Sequence, residues 1–416
     1  AAVKAKVTLI EKNKMGGDCL NTGCVPSKAL LRTAKLKHQI ERAEEFGIHT
    51  ASAEFNFGDV MDRVHRVIGK IEPHDSVERY ESLGVEVIQG EGRLVDPWTV
   101  EVNGQRLTAR AIVLATGAEP LVPPIEGLKD VDYLTSDNLW EMRELPESMV
   151  VLGGGPIGCE MTQAFNRLGS KVIQVEMSDR LMGPEDPDIA EILQTRLINE
   201  GVDVRCGHKA VRVDAERKVL ICEKGDEEVE IKFDRLLVAL GRAARLKGFG
   251  LEDLGIETGR TIEVNEFLQT SIPTIYACGD AVAPYQFTHS AAHEAWFTAV
   301  NGLFGTFKKF KVDYSIIPWA TFTDPEVAHV GLGEMQAKKD EVEYEVTTYD
   351  IGDLDRAIAE EEDHGIVKVL TVPGKDEILG VTIVGDHAGD LIAEYVLAMK
   401  HGIGLNKILG TIHIYP

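Results

Sequence analysis

Short apolar runs closed by glycine or by an acid recur along this chain. Val7-Thr8-Leu9-Ile10-Glu11 is one, and Lys6 to Glu11 is matched almost letter for letter by Lys171-Val172-Ile173-Gln174-Val175-Glu176. Met149-Val150-Val151-Leu152, Ala111-Ile112-Val113-Leu114-Ala115 and Phe233 to Leu240 are continuous apolar runs. A parallel strand buried on both faces reads this way. Asp59 to Leu83 predicts a charged helical stretch, and Gly84-Val85-Glu86-Val87-Ile88 a strand. Trp98 to Gln105 predicts a hairpin. Phe287-Thr288-His289 opens a helix through Ala299. In the last hundred residues the strands Gly365–Thr371 and Ile378–Val384 alternate with helices such as Ala388–Lys400.

The strand at 149–152 runs into Gly153-Gly154-Gly155-Pro156-Ile157-Gly158, which fits G-x-G-x-x-G, and then into a helix ending near Leu168. Gly153 permits the tight turn, Gly155 lets backbone approach a pyrophosphate, and Gly158 lets helix and strand pack closely. Glu176, ending the next strand, is placed to accept hydrogen bonds from a ribose 2′-hydroxyl and to repel a 2′-phosphate. NADH is therefore expected over NADPH, with Arg180 the nearby cation that favours the alternative. By the internal repeat, Glu11 ends the second strand of another such unit. The first strand and glycine turn of that unit are expected upstream of Ala1.

Chemistry concentrates in Gly16-Gly17-Asp18-Cys19-Leu20-Asn21-Thr22-Gly23-Cys24-Val25-Pro26-Ser27-Lys28. Pro26 suits a first helical turn, so Cys24 falls at a helix N-terminus, where peptide dipoles favour a thiolate. Residues five apart in an undistorted helix rise about 7.5 Å and point about 140° apart, beyond a disulfide's reach. A Cys19–Cys24 bond therefore needs a loop or unwound turn, which Gly16, Gly17 and Gly23 supply. So small a ring adds little stability, and its use is to open and close. The other cysteines (Cys159, Cys206, Cys222, Cys278) are scattered as in a reducing compartment. Zinc-ligand spacing is lacking, so no metal ligands are assigned.

The 416 residues carry a formal net charge of −24, which argues against nucleic acid or an anionic membrane as partner. No apolar run has the length of a membrane span and no signal-peptide pattern opens the chain, so the cytoplasm is expected.

The cysteine block closely resembles the active-site motif of the FAD-dependent pyridine nucleotide–disulfide oxidoreductases, the family of dihydrolipoamide dehydrogenase, glutathione reductase and mercuric reductase. Ala115-Thr116-Gly117 resembles that family's crossover out of the FAD domain, and Gly241-Arg242 its return. Thr270 to Asp280 resembles its second FAD motif. The resemblance implies an α/β fold with two Rossmann-like three-layer domains, for FAD and NAD, and an α+β dimerisation domain. The implied domains are 1–118 and 243–310 for FAD, 119–242 for NAD and 311–416 for dimerisation of a homodimer.

Carried over by motif, Glu11, Gly17, Lys28, Thr116, Gly117, Asp280 and His289 are expected to face FAD. Gly153, Gly155, Ile157, Gly158, Glu176 and Gly241 are expected to face NAD. Cys24 is the sulfur against the flavin and Cys19 the outer one that exchanges with substrate. Lys28 pairs with Glu160 to stabilise charge at the flavin. Where disulfide-handling members carry an acid/base histidine, this chain has Tyr415, as in mercuric reductase; His413, two residues away, is a weak substitute candidate, since on a strand the two would share a face. The implied reaction passes electrons from NAD(P)H through FAD to the Cys19–Cys24 disulfide and on to a dithiol/disulfide acceptor, dihydrolipoamide dehydrogenase-like. Mercuric reductase-like reduction of an Hg(II) thiolate is the alternative. A low-turnover flavin/NAD sensor is a third reading, and predicts slow reduction by NADH.

Overall fold

Residues 5–416 are described by the structure, a computed structural model. Four helices carry residues discussed below: α1 (Gly17–Asn21), α2 (Cys24–Glu41), α3 (Pro156–Leu168) and α4 (Thr288–Phe304). The chain divides into two compact units. One takes the residues up to Pro26 with Asp62–Leu121 and Arg242–Asp313; the other takes Ser27–Met61, Val122–Gly241 and Tyr314–Pro416.

In the first unit, Val7–Glu11 pairs in parallel with Val85–Gln89, and Ile112–Leu114 in parallel with Ile275–Ala277. The predicted hairpin forms between Thr99–Val102 and Gln105–Thr108. Its two-residue turn is Asn103-Gly104, both at positive φ, which matches the right-handed twist of the flanking strands. Leu94, Ile112, Leu114, Leu251, Ile262, Ile275 and Ala277 make its core. The helical stretch expected over 59–83 is broken: Phe57–Ile71 ends ahead of Pro73, and Val77–Ser82 restarts with Ser76 accepting from the Arg79 N–H at 3.2 Å. Proline cannot continue the ladder, and the serine caps the restart. The apolar run at 111–117 yields only the strand Ile112–Leu114, because Gly117 turns at φ +67. α4 outruns its expected end at Ala299 and reaches Phe304.

In the second unit, four parallel strands lie in the order Asp203–Arg205, Lys171–Val175, Ser148–Leu152, Arg235–Val238. α3 connects Ser148–Leu152 to Lys171–Val175, the crossover unit read from the glycine turn. The strand stops at Val175, and Glu176 follows it directly. The last hundred residues form a five-stranded antiparallel sheet with the helix Ala388–Lys400 packed on it. The fold class is α/β with an α+β final domain. Among the described residues no helix is long and apolar enough to cross a membrane.

Candidate functional site

The two cysteines sit on either side of a break between helices. Cys19 lies in α1, whose entry uses Gly16 at φ +86 and Gly17 at φ +60. Thr22 and Gly23 interrupt the helix, and Cys24 is the first residue of α2. Cys24 Sγ is 3.6 Å from the hydroxyl of Thr288, the first residue of α4. Two helix N-termini thus converge on one exposed sulfur, and both favour negative charge there. Cys19 is half-buried. The hydrogen bond it shares with Cys24, and then burial, push its thiol up. Cys19 is therefore the more reluctant of the two to give up a proton, while the helix ends place Cys24 to carry charge.

Asp18 and Asp280 converge on Arg242, a residue singled out by sequence only as a crossover marker. Its guanidinium bonds Asp18, lies 3.6 Å from Asp280 and donates to the Ala118 carbonyl at 3.1 Å. Asp280 lies in the turn Gly279–Ala281 just past the strand Ile275–Ala277. Burial raises its carboxyl, Arg242 opposes this and Asp18 reinforces it. A half-buried carboxylate of this kind has acceptor capacity for ribityl or ribose hydroxyls. Gly117 stands at φ +67 with nothing nearer than 3.9 Å to a side-chain position. These groups fit FAD. Glu11 accepts the Asn13 N–H at 2.8 Å, and His289 stacks on Phe287 at 5.2 Å.

The second unit holds the nucleotide turn. A Cβ on Gly153 would lie 2.3 Å from the Ala239 carbonyl, and one on Gly158 would lie 2.2 Å from that of Gly153. Gly155, by contrast, opens onto space. That is a cradle for a pyrophosphate at the start of α3, with Ile157 exposed in the first turn. Glu176 anchors the turn by accepting from the Gly154 N–H at 2.6 Å and the Ser178 N–H at 2.7 Å. Arg180 is turned to the carbonyls of Gly183 and Glu185, at 2.9 and 3.2 Å. The donor set fits NAD. Gly241, at φ +106, has open space beside it.

Lys28 follows Cys24 by one turn of α2, and its Nζ donates to both oxygens of Glu160, at 3.1 and 2.9 Å. Glu160 is buried in α3. Farther along the same two helices, Asp324 meets Arg167 at 2.7 Å and Lys35 at 3.3 Å, and Arg167 meets Glu200 at 2.6 Å. Burial alone would raise the Asp324 carboxyl, but Arg167 and Lys35 hold it well below the usual carboxylate range. Nothing in the apolar pattern of the sequence marks this network. A lowered carboxyl contributes stability that is full above the unfolded value near 4 and is lost as pH falls through the folded one. Asp324→Asn is expected to cost about 3–5 kcal/mol at pH 7 in urea melts, the gap to wild type narrowing only below about pH 4. A cost below about 1 kcal/mol would mean the charges are replaceable there.

Tyr415 and His413 do not share a strand face, because residues 411–416 form no strand. Tyr415 is exposed and its hydroxyl donates to Asp355 at 2.6 Å, whereas His413 Nε2 lies 2.8 Å from Glu394, which raises the imidazole. With no partner strand, the two side chains are free to follow different carboxylates. Burial pushes the thiols of Cys159, Cys222 and Cys278 up to about 12, 11 and 11, so these sulfurs are inert. The carboxylates Asp186, Asp188 and Glu334 converge on the buried Lys368 ammonium at 3.0, 2.9 and 2.6 Å.

The family model described as pyridine nucleotide-disulphide oxidoreductase matches residues 1–296, and that of the family's dimerisation domain matches 317–416. A mercuric reductase from Lysinibacillus sphaericus is 36% identical, over 99% of this chain and 76% of its own. A dihydrolipoyl dehydrogenase from Bacillus subtilis (strain 168) is 32% identical, over 95% of this chain and 87% of its own. Among solved structures, LpdA from Mycobacterium tuberculosis superposes with TM-score 0.89 at 25% identity, covering 99% of this chain and 91% of its own. The HOCl-induced flavoprotein disulfide reductase RclA from Escherichia coli superposes with TM-score 0.87 at 25% identity, covering 100% and 92%. The chain belongs to the pyridine nucleotide-disulphide oxidoreductase family: it is a flavoprotein that uses FAD and NAD(P)H, acts on sulfur groups through a redox-active disulfide, and carries the family's dimerisation domain.

Proposed function

We propose that this chain is a cytoplasmic, NADH-dependent reductase of thiol-bound soft acceptors, working through Cys19 and Cys24 in a homodimer. The observation that carries this reading is the inequality of the two sulfurs at the α1–α2 break. In each cycle the hydride equivalent of NADH opens the Cys19–Cys24 disulfide to the Cys19 thiol and the Cys24 thiolate with release of NAD+, and the acceptor takes the two electrons as the disulfide re-forms and the Cys19 proton leaves. Bound FAD supplies the two-electron exchange between nicotinamide and disulfide. Residues 1–118 and 243–310 are its domain, and 119–242 that of NADH.

The protein's part is electrostatic. Cys24 is held as the charged sulfur by two helix ends, and Lys28, oriented by Glu160, offsets negative charge as reduction proceeds. Cys19 keeps its proton and acts on the acceptor once a base removes it. A mercuric thiolate is the acceptor favoured by Tyr415, a hydrogen-bond donor at neutral pH that can help hold a soft metal. The His413–Glu394 pair favours a second reading, lipoamide-type disulfide exchange, because a carboxylate-held imidazole is the kind of acid/base group that thiol–disulfide exchange uses. Anaerobic NADH titration of the FAD-loaded protein, followed by mercuric thiolate, lipoamide and glutathione disulfide in parallel, separates these acceptors. Slow flavin reduction with no acceptor consumed would leave the sensor reading instead.

NADH preference rests on Glu176 at the strand end and on the engagement of Arg180 with carbonyls. The ratio of kcat/KM for NADH to that for NADPH is expected to be about tenfold or more, at least 1.4 kcal/mol of discrimination. A higher value for NADPH would sink this assignment.

A further inference from the structure

The Lys28–Glu160 pair has a third member, Phe322. This residue lies between the strands Pro318–Thr321 and Glu326–Gly331 of the last domain. Its backbone N–H donates to Glu160 Oε1 at 2.9 Å, and its ring centroid is 4.5 Å from Lys28 Nζ. The Lys28 side chain is 37% exposed, so a carboxylate on one side would leave its flexible stem several rotamers. A ring face on a second side removes most of them, and the aromatic quadrupole attracts the ammonium.

Phe322 cannot drift, because its neighbour Asp324 is fastened to α3. The Asp324 N–H donates to Gln163 Oε1 at 2.7 Å, Gln163 Nε2 donates to the Asp324 carbonyl at 2.8 Å, and Arg167 bonds its carboxylate at 2.7 Å. Glu160, Gln163 and Arg167 stand at i, i+3 and i+7, one face of one helix. The same face therefore holds the lysine's carboxylate and the loop that carries the lysine's ring.

We infer that Phe322 is a positioning residue: it fixes the Lys28 ammonium on Glu160 and so sets where positive charge is offered during reduction. The inference rests on the reading of Lys28 given under the proposed function. Its test reads Lys28 directly, by brief acetylation of the protein and mass-spectrometric comparison of Lys28 with Lys35, an internal reference held by Asp324 and Asp386. Phe322→Leu keeps apolar bulk and loses the ring face; Phe322→Tyr keeps the ring. The Lys28/Lys35 labelling ratio is expected to rise about fivefold in Phe322→Leu, the size of a single cation–π contact, and to stay within about twofold in Phe322→Tyr. Phe322→Met answers the same question if the leucine variant does not fold. A ratio unchanged in both apolar variants, or raised equally in Phe322→Tyr, overturns the inference. Lys28→Met, followed by the rate of flavin reduction by NADH, tests the underlying reading separately. An unchanged rate there removes the role of Lys28 while the labelling result still decides what Phe322 does to it.

Discussion

Cys24→Ser is expected to lower acceptor turnover roughly a thousandfold or more, the scale seen when an essential nucleophile is removed, while leaving FAD bound. Its NADH-reduced form should lack the long-wavelength absorbance that a thiolate lends to a flavoprotein. Cys19→Ser should lose turnover to a similar extent but show that absorbance before any reductant is added, because Cys24 is then a thiolate that no disulfide can consume. The argument is geometric. Cys24 opens α2 and lies 3.6 Å from the first residue of α4, so two sets of helix-end N–H groups favour its charge. Cys19 is the half-buried partner whose thiol the Cys24 hydrogen bond and burial push up. Spectra of the two variants the other way round would reverse the inner and outer assignments.

Tyr415→His is expected to raise lipoamide turnover at pH 7 by roughly tenfold or more, within the range of a positioned general base. With its thiol raised, Cys19 reacts only as its proton is taken. Wild-type turnover of a disulfide acceptor should therefore be weak at neutral pH and climb toward alkaline pH, and the histidine variant should flatten that climb. Tyrosine ordinarily titrates near pH 10, and here Asp355 raises Tyr415 further by accepting its proton in a hydrogen bond. It is a donor at neutral pH and a poor base. If wild type already turns lipoamide over fast at pH 7 and Tyr415→Phe changes nothing, then His413, held by Glu394 at 2.8 Å, is the base. Glu394→Gln would then depress that activity.

What the sequence disclosed and what it hid follow from the range of the interactions involved. The break between α1 and α2 was readable because a glycine-rich segment and the five-residue spacing of the cysteines are local facts, as is the turn at Gly153–Gly158. Lys28 with Glu160 was reached through motif resemblance, and the two stand at ion-pair distance, 2.9 Å. The ends of elements moved where a proline or a turn intervened, as at Pro73 and Gly117. Arg242, Thr288, Phe322 and the Asp324 network were not identified as site components. Each acts through partners scores of residues away in sequence, and no spacing rule within one element encodes such a meeting. On a strand Tyr415 and His413 would share a face, but residues 411–416 form none, and alternation governs side chains only where a neighbouring strand pairs with the segment.

The central claim is that electrons from NADH reach the sulfurs of Cys19 and Cys24. Thiol counting by mass spectrometry after anaerobic NADH treatment of the air-oxidised, FAD-loaded protein measures this directly. The account predicts two new alkylatable thiols per chain, on Cys19 and Cys24, with Cys159, Cys206, Cys222 and Cys278 unchanged. A flavin that is fully reduced by NADH while the Cys19–Cys24 peptide remains disulfide-linked would contradict it.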